Sequence, residues 1–172
     1  DDLDLFKFSA EKDQRLICDV HASRLGSPLD SLLTLFDPEG KEVISNDISN
    51  GLDSLIDYTI QVSGDYVLQI RDLRYKSGND FFYRIKVGEL PYLDTIFPLG
   101  GERGTESAVF VTGRNLGPIE TIQMSISPDT LLGAHEMRVV NAAGISTNPH
   151  AFVAGNLKEM REQEPNNGAD QA

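Results

Sequence analysis

An all-β chain built as two tandem β-sandwiches is predicted by three features of the sequence. Apolar and polar side chains alternate with period two, clusters of Gly, Pro, Asn and Asp interrupt that alternation at short intervals, and the one helical candidate, Leu157 to Gln163, is short and charged enough to read as a linker. The 172 residues suffice for one ordinary domain or two small ones.

The strands follow in chain order. Phe6 and Phe8 alternate with Lys7, and Leu16, Cys18, Val20 and Ala22 alternate with Ile17, Asp19 and His21. Tyr66, Leu68 and Ile70 alternate with Val67, Gln69 and Arg71, which places Tyr66 in the core. In Phe81-Phe82-Tyr83-Arg84-Ile85-Lys86-Val87, the residues Tyr83, Ile85 and Val87 share the inner face, with Arg84 and Lys86 outside. Turns are predicted at Asp37-Pro38-Glu39-Gly40, Ser45-Asn46-Asp47, Ser49-Asn50-Gly51, Ser63-Gly64-Asp65 and Ser77-Gly78-Asn79-Asp80, because Pro presets φ and Gly tolerates φ above zero. A second pattern opens after Gly88-Glu89-Leu90-Pro91. Val109 and Val111 flank Phe110 ahead of a turn at Gly113-Arg114-Asn115, Met137 and Val139 flank Arg138, and Ala151-Phe152-Val153-Ala154 closes a unit of a size that suits a small Ig-like sandwich.

Composition narrows the function classes. Hydrophobic residues make up 40% and charged residues 24%, an ordinary globular balance. The net charge of −12 disfavours nucleic acid and anionic membranes as partners and favours cations. The deficit is shared, with 17 acids against 10 bases up to Glu89 and 10 against 5 beyond it. The lone Cys18 forms no internal disulfide and reads as a buried, inert thiol. No apolar run approaches the roughly 18 residues of a membrane helix, so membrane insertion is not expected. The abrupt beginning and polar end read as a section of a longer polypeptide.

Several separated motifs carry a family resemblance. Asp2-Leu3-Asp4-Leu5-Phe6-Lys7-Phe8, Gly26-Ser27-Pro28-Leu29-Asp30-Ser31, Leu33-Thr34-Leu35-Phe36-Asp37-Pro38-Glu39-Gly40, Ser45-Asn46-Asp47 and Gly64-Asp65-Tyr66-Val67-Leu68-Gln69-Ile70-Arg71-Asp72 together resemble the bacterial pre-peptidase C-terminal (PPC) domain. The resemblance implies a jelly-roll-like sandwich over 1–89 from a secreted or cell-surface bacterial protein, commonly a peptidase, and a likeness to clostridial collagen-binding domains. It also implies that a first strand and an acidic Glu-Pro-Asn segment are missing before Asp1; such a segment stands instead at Glu164-Pro165-Asn166-Asn167. Pro91-Tyr92-Leu93-Asp94-Thr95-Ile96-Phe97-Pro98, Gly100-Gly101-Glu102-Arg103-Gly104, Val109 to Gly117 and Gly144-Ile145-Ser146-Thr147-Asn148-Pro149 look like an IPT/TIG-type Ig-fold domain over 90–156. Residues 157–172 then read as an acidic linker and the start of a next repeat.

Calcium is the cofactor that the resemblance implies. Its hard-cation chemistry needs several converging oxygens, and the candidate ligands are Asp1, Asp2 and Asp4 at one end and Glu162, Glu164, Asn166 and Asn167 at the other. The resemblance assigns the two sets to adjacent repeats; the plain reading is two solvated acidic linkers. A second oxygen-rich set, Asp30, Asp37, Asn46, Asp47, Asn50 and Asp53, lacks the EF-hand pattern and reads as turn closure.

No catalytic constellation is expected. His135-Glu136 begins like the zinc motif HExxH, but Val139 occupies the second ligand position. Cys18 and His21 fall on opposite faces of one strand. Tyr75, Phe81 and Tyr92 are candidate exposed aromatics for an extracellular polymer, whether protein or glycan. The expected role is therefore a non-catalytic module for adhesion, substrate targeting or spacing, outside the cell, on its surface or in the periplasm. Its partners would be an extracellular polymer or neighbouring domains of the same chain. The alternative is an accessory domain of a secreted peptidase or other hydrolase.

Overall fold

A computed structural model describes residues 2–47, 53–160 and 162, arranged as two compact units, Asp1–Leu90 and Pro91–Ala172. The described residues form thirteen strands and one 3-10 turn, Ser23–Leu25, with no α-helix among them.

The first unit contains β1 (Leu3–Ala10), β2 (Arg15–His21), β3 (Ser31–Phe36), β4 (Glu42–Asn46), β5 (Leu55–Thr59), β6 (Gly64–Asp72) and β7 (Arg84–Gly88). A four-stranded sheet in the order β1-β6-β3-β4 and a three-stranded sheet in the order β5-β2-β7 are both antiparallel. Alternate residues of each sheet turn inward and meet in one core: Leu16, Cys18, Val20 and Ile56 from one side, Leu33, Leu35, Tyr66, Leu68 and Ile70 from the other. Two facing sheets around one apolar core make this unit a β-sandwich, the fold class that the alternation predicts. Tyr66 is 1% exposed, stacks with Phe8 and donates its hydroxyl to the Val62 carbonyl at 2.9 Å. Gly40 takes φ 80° at the end of the Asp37 turn, where a β-carbon would be strained. The turn predicted at Ser49-Asn50-Gly51 lies outside the described residues.

One side of this sandwich is open. β1 and β7 are edge strands, and core-facing Phe6 and Val87 remain 39% and 36% exposed. Val87 pairs with Cys18 and so lies on the predicted face, but among the described residues no strand lies beyond β7 to cover it.

The second unit contains β8 (Tyr92–Phe97), β9 (Gly100–Glu102), β10 (Glu106–Arg114), β11 (Thr121–Ser125), β12 (Gly133–Met137) and β13 (His150–Gly155). One sheet runs β11-β10-β8 and the other β12-β13-β9, with β13 and β9 parallel. Val109, Val111, Leu93 and Ile96 of the first sheet pack on Met137, Phe152 and Ala154 of the second. The turn predicted at Gly113-Arg114-Asn115 is corrected by two residues. Gly113 and Arg114 belong to β10, where a bulge opens between Thr112 and Gly113, and Asn115 (φ 53°) begins the turn. A β-carbon on Gly113 would lie 2.1 Å from the Tyr92 carbonyl oxygen, so the bulge demands glycine there.

Candidate functional site

The densest polar network of the first unit forms where β2 ends. Period two places Asp19 and His21 on the outer face of β2, opposite the core-facing Cys18. The chain then coils through the 3-10 turn, and Asp53 receives its backbone: the amides of Ala22, Ser23 and Arg24 donate to this carboxylate at 2.9, 2.7 and 3.3 Å. Arg24 Nε donates to the same carboxylate at 2.7 Å, while its Nη2 donates to Asp19 at 2.6 Å and to the Val20 carbonyl. His21 Nε2 lies 2.8 Å from the second Asp19 oxygen. Asp53 is 1% exposed and Asp19 5% exposed, so both charges are buried and both are paired.

Burial alone would raise the Asp53 pKa, but the Arg24 hydrogen bond and the three backbone amides outweigh it and hold the carboxyl below its usual range. Asp72 behaves in the same way. It is 2% exposed, and burial is outweighed by amide donors from Lys76, Asp30 and Arg74 at 3.0, 3.0 and 2.8 Å, so its pKa is lowered too. A carboxyl with a depressed folded pKa stabilises fully above its unfolded value, near about 4, and loses that contribution as the pH falls through the folded value. The first unit is therefore expected to lose stability from about pH 4 downward. Asp53→Asn should flatten that acid limb in denaturation followed by circular dichroism; superimposable acid limbs for the two proteins would contradict the assignment.

Of the second oxygen-rich set, Asn50 lies outside the described residues, and Asp37 and Asn46 hold loop amides as the turn reading expects. Asp37 accepts from the amides of Glu39 and Lys41, both at 2.9 Å, and Asn46 accepts from the Leu55 amide at 3.1 Å. Asp53 belongs to this set in sequence, but its pairing with Arg24 joins segments about thirty residues apart. The alternation of Asp19 and His21 was the available sequence signal for the rest of the network.

Of the metal candidates, Asp2, Asp4 and Glu162 are described; Asp1, Glu164, Asn166 and Asn167 lie outside the described residues. Asp4 accepts a hydrogen bond from the Tyr83 hydroxyl at 2.6 Å, and Asp2 and Asp4 line one small cleft with Asp72, Lys76 and Tyr83. Burial first, and then Asp4 and Asp2, raise the Tyr83 pKa, so the phenol stays protonated and serves as donor. Asp72 is committed to backbone amides, and Lys76 adds a positive charge beside it. Among the described residues no three His, Cys, Asp or Glu side chains are grouped to hold a metal ion, so those residues do not by themselves fit a calcium cage.

Catalytic groups are likewise occupied otherwise. Burial pushes the Cys18 thiol up to about 12, the value of an inert core thiol. His135 sits on strand β12 with Nε2 2.6 Å from the Leu131 carbonyl, so the HExxH-like start has no helix to display it. Among the described residues, every buried side-chain nitrogen or oxygen has a hydrogen-bond partner. The aromatic candidates divide. Tyr75 is 59% exposed with the Arg71 guanidinium over its ring, whereas Tyr92 is buried with the Arg114 guanidinium over its ring and Phe81 packs on the first unit's core.

Comparison with known proteins places this geometry. Residues 2–72 match the family model of the bacterial pre-peptidase C-terminal domain. A probable subtilase-type serine protease of Deinococcus radiodurans is 39% identical over 70 residues, which cover 40% of this chain and 10% of the protease. The chain therefore spans about a tenth of that relative. A γ-CGTase crystal structure from an alkalophilic Bacillus clarkii aligns with 89% of this chain and 21% of its own at TM-score 0.33 and 18% identity, an overlap too slight to bear on fold or function. No helix among the described residues is long and apolar enough to cross a membrane. Residues 2–72, the greater part of the first unit, are accordingly the part of this chain that matches the bacterial pre-peptidase C-terminal domain, as its sequence motifs imply.

Proposed function

We propose that the chain is a non-catalytic accessory segment of a secreted bacterial peptidase, which holds the enzyme against an insoluble substrate or a surface. The observation that carries this reading is the 39% identity, within the matched domain, to a subtilase-type serine protease. The polar network of the first unit supports it: its carboxylates are spent on backbone amides and Arg24, and its cysteine is a core thiol. Reading the open reading frame around these residues tests it. A subtilase-type catalytic domain on the same polypeptide is expected; a frame made only of repeated β modules would favour a pure adhesin or spacer instead.

Two further parts of the reading concern completeness. The open side, where Phe6 and Val87 stay exposed, supports one additional strand beside β7. Calcium then acts only where a second acidic segment reaches Asp2 and Asp4. A longer chain with the preceding residues is expected to melt above this one in chelator, through the added strand. Calcium at about ten times its dissociation constant should raise it again by roughly 5–10 °C, from about 1.4 kcal/mol of linkage. Identical melting of the longer chain with calcium and with chelator would remove the metal from the account.

A further inference from the structure

The outer face of the sheet β11-β10-β8 carries an uncharged platform that the accessory reading does not use. Val109, Val111, Ile96 and Ile122 turn toward the core, so Ala108, Phe110 and Thr112 of β10, Thr95 and Phe97 of β8, and Thr121 and Gln123 of β11 face outward. Phe110 stands directly opposite Phe97 on one side and Thr121 on the other. Their rings are 46% and 51% exposed, which puts two large apolar surfaces side by side on a solvent-facing sheet. Beside them the Thr95 and Thr112 hydroxyls lie 2.6 Å apart. Formal charge appears at the margins, in the Asp94–Arg114 ion pair at one end, Glu106 at the other and Glu120 in the groove beside Phe110.

We propose that this face binds a single chain of an uncharged polysaccharide. Four residues of strand rise and two strand spacings give a platform of about 14 by 10 Å. That is far below the roughly 800 Å² per partner of a stable protein interface, so its footprint suits one polymer chain rather than a second protein. The absence of charge at its centre, in a chain of net charge −12, matches a ligand without charge. A pyranose ring offers an apolar C–H face to aromatic rings and hydroxyls at its rim, and the platform offers two rings rimmed by threonine hydroxyls and the Gln123 amide. Phe110 and Phe97 also border open grooves of about 490 and 590 Å³, the first carrying Glu120 and the second Glu102, Glu106, Lys158 and Glu159, so the uncharged stretch ends where each groove begins. The assignment goes beyond the accessory reading and does not depend on which catalytic domain accompanies the chain.

The test is depletion of the 172-residue protein by insoluble cellulose, starch, chitin and β-glucan, with heparin-agarose as a charged control. Saturable retention on at least one neutral polymer and none on heparin is expected. Phe97→Ala/Phe110→Ala should weaken retention about thirtyfold, as the loss of two anchoring rings. Thr112→Lys, which leaves both rings and the core in place, should weaken it as well. Failure to bind any neutral polymer, undiminished binding by both variants, or a wild-type dimer in ultracentrifugation that the Phe variant dissolves would overturn the proposal.

Discussion

Asp53→Ala is expected to destabilise the first unit by about 3–5 kcal/mol, the cost of breaking a buried charge pair from one side. The carboxylate is 1% exposed and collects three backbone amides and the Arg24 guanidinium. Its removal leaves the Ala22, Ser23 and Arg24 amides without this acceptor and Arg24 with only Asp19 and the Val20 carbonyl. Since a domain of this size has about 5–15 kcal/mol in total, most of its margin would go. Urea denaturation followed by far-UV circular dichroism should show an early transition for the first unit with the second unit's transition in place. A wild-type profile would mean that solvent satisfies those amides as well as Asp53 does.

Tyr66→Ala should cost about 3–5 kcal/mol by a different route, the cavity left when a core aromatic is truncated. Tyr66 sits on the central strand β6 at 1% exposure, stacked on Phe8. Tyr66→Phe keeps the ring and loses only the bond to the Val62 carbonyl, so it should cost about 1 kcal/mol. The contrast separates packing from hydrogen bonding. Equal losses for the two variants would show that the hydroxyl, not the ring, anchors the strand.

The same residues mark how far the sequence could be read. The alternation in β6 is clean because one face meets the core and the other meets solvent, so Tyr66, Leu68 and Ile70 were legible as core. Strand β2 was legible as a strand but not in its burial. Ile17 and Asp19 look solvent-facing by alternation, yet β2 is central in its sheet and both are buried, Asp19 because Arg24 folds back over it. Strands β4, β5 and β11 are short and half-polar, which leaves too few alternating positions to stand out. Among candidate site residues, local turn chemistry such as Asp37 could be read from its neighbours, but the Arg24–Asp53 contact depends on chain return, which spacing does not encode. The exposed-aromatic reading of Tyr92 is corrected because this loop-proximal tyrosine is the first residue of β8 and pairs with Arg114, whose guanidinium lies over its ring.

The most direct test of the accessory role uses the full polypeptide with and without residues 1–172. Deletion should leave kcat/KM on a soluble chromogenic peptide unchanged and slow the release of peptides from an insoluble protein matrix by about tenfold or more, the loss of an effective-concentration advantage. Loss of soluble-peptide turnover on deletion, or unchanged attack on the matrix, would contradict it.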